Sequence, residues 1–201
     1  MSNMIRCMIG LGIGMILAGF QVQAQRGARY PEGYVLSSRG DTTWGFVKAG
    51  DRFKDQRNIV FFDRFGVKVR YTADRIKGYG YEQNQYISHK LPYLFSGVFS
   101  DTVIFLHIIE RGPVSLYRFY TRRPMFTFKG KAVYTEFLEM PDGTEHEIST
   151  QFRWKKIAEV FADYVPLAAE IRSGAHEPEA IPELVRRYNA WLLEERPQTV
   201  D

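Results

Sequence analysis

Residues 103–120 read Val103-Ile104-Phe105-Leu106-His107-Ile108-Ile109-Glu110-Arg111-Gly112-Pro113-Val114-Ser115-Leu116-Tyr117-Arg118-Phe119-Tyr120, and this stretch decides the fold class. Its first arm, Val103 to Ile109, is almost wholly β-branched, aliphatic or aromatic, the composition of a strand buried on both faces. The second arm, from Val114 to Tyr120, returns in the same vein. Between them stand Glu110, Arg111, Gly112 and Pro113. Proline has no N–H to offer a ladder, so Pro113 belongs to the turn and to neither arm. The reading is a β-hairpin whose first strand lies inside a sheet.

The same grammar recurs toward the amino end. Residues 67–71 alternate Val67, Val69 and Tyr71 with Lys68 and Arg70, which predicts a half-buried strand. Asp63-Arg64-Phe65-Gly66 joins it to residues 58–62, and the glycine suits the positive φ of a tight connection. Residues 33–38 and 42–47 form an earlier pair around Arg39-Gly40-Asp41. Toward the carboxyl end, residues 125–140 and 145–150 read as further strands, joined in part by Pro141-Asp142-Gly143. After Thr150 the period changes. Trp154, Ile157, Ala158, Phe161 and Val165 recur at helical spacing, and Pro166 fits the first turn of a short helix over 167–172 that stops near Gly174. Ile181, Leu184, Val185, Tyr188, Trp191 and Leu192 stripe a last helix. The expected fold is α+β: a largely antiparallel β-sheet or small barrel followed by two to three carboxyl-terminal helices. Residues 25–201 are expected to form a single domain, β-rich over 25–150 and helical over 151–196.

The chain of 201 residues is 45% hydrophobic and 25% charged, which excludes a disordered tail, a collagen-like repeat and a multi-pass membrane protein. Its 27 basic and 23 acidic residues leave a net charge of +4, too mild to demand a polyanion, so nucleic acid is not an expected partner. The first residues point to export. Arg6 supplies a positive start, Cys7 to Phe20 carry no charge, and Val22-Gln23-Ala24 places short side chains before a possible cut. The uncharged run is shorter than the roughly 20 residues that span hydrocarbon, so residues 1–24 read as a signal peptide cleaved near Ala24-Gln25 rather than a retained anchor. Cys7 is the only cysteine and sits too early to become a lipid-bearing first residue. The exported chain would hold no thiol and no disulfide, in the periplasm or outside the cell, with no transmembrane span.

Several landmarks together carry a resemblance. Gly33-Tyr34-Val35-Leu36 is followed by Gly40-Asp41-Thr42 and Gly45; then come Gly112 and Ser115-Leu116-Tyr117, and finally Leu184-Val185-Arg186-Arg187-Tyr188-Asn189. In these motifs the chain resembles a group of uncharacterised exported proteins of Bacteroidota-type bacteria. The resemblance implies export and this order of strands and helices. It implies no activity, cofactor or catalytic residue.

The chain contains no Gly-x-Ser-x-Gly elbow, phosphate-cradling loop before a helix, or His-Glu-x-x-His. Glu145-His146-Glu147 is the densest cluster of ligand-type residues, but on a strand the glutamates share one face while His146 takes the other, a poor metal clamp. Asp51, Asp55 and Asp63 lack calcium-loop spacing and are interleaved with Arg52, Lys54, Arg57 and Arg64, so the segment is expected to be a polar loop. Asp41 suits turn chemistry, and His107, in the most apolar strand, suits a buried, hydrogen-bonded role. The basic pairs Arg122-Arg123, Lys155-Lys156 and Arg186-Arg187 are spread along the chain. No cofactor or metal is expected. Tyr79, Tyr81, Tyr86 and Tyr93 cluster in a Gly-containing stretch and are the candidate ligand or partner contacts, since tyrosine combines rigid area with a polar tip. The same residues also suit plain strand packing. The expected function is a non-catalytic envelope module that binds a protein or a surface component. Alternatives are a periplasmic carrier of an apolar or glycan ligand lined by those tyrosines, and a hydrolase assembled from Asp41, Asp101 and His107.

Overall fold

The computed structural model describes residues 29–90, 103–121, 133–148, 153–174, 176 and 180–195. The expected signal peptide, Tyr93, Asp101, the Arg122-Arg123 pair and the first part of the 125–140 strand lie outside the described residues. Among those described, ten strands and four helices form an α+β protein with antiparallel pairing and helices mostly toward the carboxyl end. No described helix is long and apolar enough to cross a membrane. The chain divides between Phe105 and Leu106 into two compact units.

The first unit holds β1 (Glu32–Ser37), β2 (Thr42–Lys48), α1 (Arg52–Asp55), β3 (Asn58–Asp63), β4 (Lys68–Thr72), β5 (Ile76–Tyr81), β6 (Asn84–Lys90) and the start of β7 (Val103–Glu110). Strands β1 to β6 pair in the order β6-β5-β1-β2-β3-β4. Local chemistry closes the turns. Ser37 Oγ accepts from the Arg39 and Asp41 N–H groups, and Gly40 takes φ 97°. Asp63 Oδ1 accepts from the Phe65 and Val67 N–H groups at 2.9 and 2.8 Å, with Gly66 at φ 80°. Helix α1 was read from sequence as a polar loop; Asp51 caps it by accepting from the Phe53 N–H at 3.0 Å.

The connection from β4 to β5 shapes this sheet. β5 pairs with β1, not with β4. In a flat sheet the two strands would stand four spacings apart, roughly 19 Å. Thr72 and Ile76 end and begin them, and four Cα–Cα steps reach at most about 15 Å. The Arg75 N–H also bonds back to the Thr72 carbonyl, tightening the turn. The sheet therefore curls strongly, in the direction its native twist favours. It remains open, because β4 and β5 do not pair, so the small barrel is not formed. Gly33 and Gly45 are cross-strand partners in the bend. A Cβ at Gly33 would fall against the Gly80 carbonyl, and one at Gly45 against the Phe62 carbonyl and the Phe61 ring, so only glycine permits that approach. The inner face holds Val35, Val47, Ile59, Phe61, Tyr79 and Tyr86, packed with Phe105. Burying each such side chain contributes roughly 1.5–3 kcal/mol.

The second unit comprises the rest of β7, then β8 (Ser115–Thr121), β9 (Val133–Glu139), β10 (Glu145–Ile148), α2 (Arg153–Val160), α3 (Val165–Ser173) and α4 (Ile181–Glu195). Its strands run in the order β7-β8-β9-β10. The apolar stripes read from sequence meet the sheet here: Leu116, Leu138 and Ile148 pack with Ile157, Phe161, Leu167, Ile171, Leu184, Val185 and Tyr188. Pro166 lies in the first turn of α3, where its missing N–H costs nothing. Tyr188 stacks on Phe161 at 4.1 Å, and its hydroxyl donates to Asp163 at 2.7 Å.

Candidate functional site

Three of the four predicted contact tyrosines come together on β5 and β6; Tyr93 lies outside the described residues. Tyr79 and Tyr86 are cross-strand partners whose rings stack at 4.5 Å and 5°. Tyr81 stacks 6.0 Å from Tyr86, their hydroxyls 3.4 Å apart, and Phe105 meets Tyr79 edge-on at 4.9 Å. Tyr79 and Tyr86 are 1% and 4% exposed, while Tyr81 is half-buried. The stack is inner-core packing, and of the three rings Tyr81 is the one that reaches solvent.

The other face of the same sheet is differently built. Alternation turns Glu32, Tyr34 and Leu36 of β1 away from the core, and the register sets them beside outward positions of neighbouring strands. One row runs Gln85, Gly80, Tyr34, Trp44; the next runs Glu32, Phe46, Phe62, Lys68. Tyr34 lies down over β5: a Cβ at Gly80 would meet its ring carbons and hydroxyl at 2.7–2.8 Å. Trp44 leans against Tyr34 at 5.4 Å and 58°, and is 55% exposed. Tyr30 stacks on Phe62 at 5.3 Å, with the Arg29 guanidinium 4.9 Å above the Tyr30 ring. Lys48, Lys68 and Arg70 are exposed at one border; of the described strand positions on this face, Glu32 carries the one carboxylate. The result is an aromatic shelf on the convex side of a curled sheet, with cations along its edge.

In the second unit, register gathers a polar cluster that sequence reasoning did not assemble. His107, Arg118 and Glu136 occupy one row across β7, β8 and β9, and Tyr120 pairs with Tyr134 in the next. Arg118 donates to Glu136 Oε1 at 2.7 Å, and its guanidinium lies 3.9 Å from the Tyr134 ring centre. His107 Nδ1 and the Tyr120 hydroxyl are 2.9 Å apart. Glu136 is 1% exposed, so this is an inward-facing, neutralised pair roofed by an aromatic ring. His107 is buried and hydrogen-bonded, as its apolar strand suggested.

The remaining candidates carry structural duties. Asp41 is bonded to Ser37 in its turn. Asp55 accepts from the Gly50 N–H at 2.9 Å; burial pushes its carboxyl above the ordinary value, and that bond partly offsets the rise. Along β10, Glu145 and Glu147 share one face and His146 takes the other. Burial and then Lys156 lower the His146 imidazole, and burial raises Glu147. Arg187 holds Glu170 through two bonds of 2.7 and 2.8 Å, and Arg186 pairs with Glu110 and Glu183. Among the described residues no group of three or more His, Cys, Asp or Glu is placed to hold a metal ion.

No protein-family model matches this chain, and neither a curated protein nor a solved structure shows significant similarity to it. The shelf residues Tyr34 and Trp44 were legible as strand residues only. The signal that would have found them is apolar side chains on both parities of β1 and β2, Val35 and Val47 on one and Tyr34, Trp44 and Phe46 on the other, since a half-buried strand needs them on one.

Proposed function

We propose that the protein is an exported, non-catalytic binding module of the cell envelope, and that its contact surface is the convex aromatic shelf of the first unit. The observation that carries this reading is Trp44, more than half exposed on a strand and held beside Tyr34. A large aromatic kept in water, within a group of rings on one open face, costs solubility unless it meets something. Rigid aromatics contribute most to contacts for the least ordering entropy. The leader-like residues 1–24 support delivery to the envelope, and the motifs Gly40-Asp41-Thr42 and Tyr188-Asn189 serve turn and core rather than chemistry. The carrier alternative draws less support, because the Tyr79–Tyr86 stack closes to ring contact.

Cross-linking in intact cells, followed by capture of the tagged exported chain, tests the reading. The wild type is expected to bring down a recurrent envelope component that Trp44→Ala loses without a change in unfolding midpoint. A chain recovered alone from the soluble periplasmic fraction, with or without Trp44, overturns it.

A further inference from the structure

Resting on that reading, we infer that the ligand of the aromatic shelf is an acidic glycan, a polysaccharide bearing carboxylates. Three features of the shelf select this chemistry. The first is the pose of the rings. Tyr34 is pressed flat against the Gly80 backbone, where any larger residue would lift it, so it presents a π-face instead of an edge. The C–H face of a pyranose stacks on such a surface, while a partner protein's hot spot seeks a pocket.

The second feature is the polar surround. Gln85 lies in the same cross-strand row as Tyr34 and Trp44, and Thr42 in the adjoining one; both are exposed. A row across the four strands β6, β5, β1 and β2 spans roughly 14 Å, long enough for a short run of sugars whose hydroxyls meet these side chains.

The third is charge. Lys48, Lys68 and Arg70 border the rings on β2 and β4, and Arg29 sits over Tyr30, against Glu32 as the one carboxylate among the described strand positions on this face. Carboxylates spaced along a polymer complement that border, and guanidinium groups bind them in a planar fork. A membrane surface matches the charge but not the rings. Insertion into lipid needs apolar side chains that protrude, and here Trp44 is exposed while Tyr34, Leu36 and Phe46 are half-buried and Phe62 is buried.

The test uses the exported chain on immobilised polygalacturonate, alginate and hyaluronan, on neutral dextran and galactan, and on vesicles of phosphatidylglycerol. Retention by the acidic polymers is expected, weakening with salt. Trp44→Ala should lower it roughly tenfold, and Lys68→Gln with Arg70→Gln should reduce it to the level on neutral polymers, at unchanged unfolding midpoints. Equal retention on acidic and neutral polymers overturns the inference. Retention only by vesicles, or only by a captured envelope protein, also overturns it while leaving the binding shelf standing, provided Trp44→Ala abolishes that contact. Indifference of every contact to Trp44→Ala overturns both the glycan and the shelf.

Discussion

The side-chain amide of Asn189 bonds both backbone groups of Val114: its Oδ1 accepts from the Val114 N–H at 2.7 Å, and its Nδ2 donates to the Val114 carbonyl at 2.8 Å. The last helix is thereby pinned to the strand entry 75 residues earlier. Gly112 completes the joint, since a Cβ there would fall against the Asn189 amide. Replacing Asn189 with Leu leaves a buried donor and acceptor unmatched, and is expected to cost roughly 2–4 kcal/mol in urea unfolding. Asn189→Asp keeps the acceptor but turns a carboxylate oxygen toward the Val114 carbonyl. Its deficit against wild type should shrink on acidification, when the acid can donate again. A loss below 0.5 kcal/mol in Asn189→Leu would refute this role for the joint.

Arg118, part-buried, pairs in the second unit with the buried Glu136. Removing one partner strands a charge in the interior, so Arg118→Leu is expected to cost about 3–5 kcal/mol. The double change Arg118→Leu with Glu136→Leu should recover most of that loss. A double-mutant cycle by chemical unfolding measures it, and additive losses would contradict the pairing.

Burial, and then a hydrogen bond to Glu139, push the Tyr117 hydroxyl from 10.0 up to about 12. The folded state holds this proton more tightly than the unfolded state. The associated stability is therefore complete below about pH 10 and lost as pH rises from about 10 to 12, roughly 2–3 kcal/mol in all. Unfolding curves at pH 9 and pH 11.5 should show that extra loss in the wild type, and a smaller one in Tyr117→Phe.

Gly80→Ala sets a methyl group into the Tyr34 ring. Overpacking of this kind costs about 1–3 kcal/mol. If the clash is with Tyr34, Gly80→Ala with Tyr34→Ala should lose less stability than the two changes summed, by about 1 kcal/mol. Strict additivity would place the strain in the strand backbone instead.

Much of this architecture is written locally. Residues 39–41, 63–66 and 141–143 make turns because Asp, Ser and Gly satisfy or relax their own backbone there. The helical stripes after Trp154 reappear in the core because a 3.6-residue period leaves few alternatives, except at Val165: the first helix stops at Val160, and Val165 opens the next one with its side chain exposed. The β5–β6 hairpin was not legible as one. Its turn, at Glu82 and Gln83, uses a non-glycine residue at φ 51°, and Gly78 and Gly80 dilute the apolar alternation around it. Helix α1 escaped because four residues give no period, only the Asp51 cap. Tyr79, Tyr81 and Tyr86 stand close together on the sequence, but their stacking on one another and on Phe105 comes from strand pairing, which distance along the chain does not predict.

The sequence by itself determined which residues alternate, where the chain turns and that helices follow strands, since each depends on neighbours a few positions away. It could not say which side of β1 and β2 faces water. Alternation divides Val35 from Tyr34 and Val47 from Trp44 without ranking them, because both sides are apolar. The three-residue step from β4 to β5 made that choice by curling the sheet. Curling gives the sheet a concave interior, which Val35, Val47, Phe61 and Tyr79 fill, and a convex exterior, where Tyr34 and Trp44 remain at the surface.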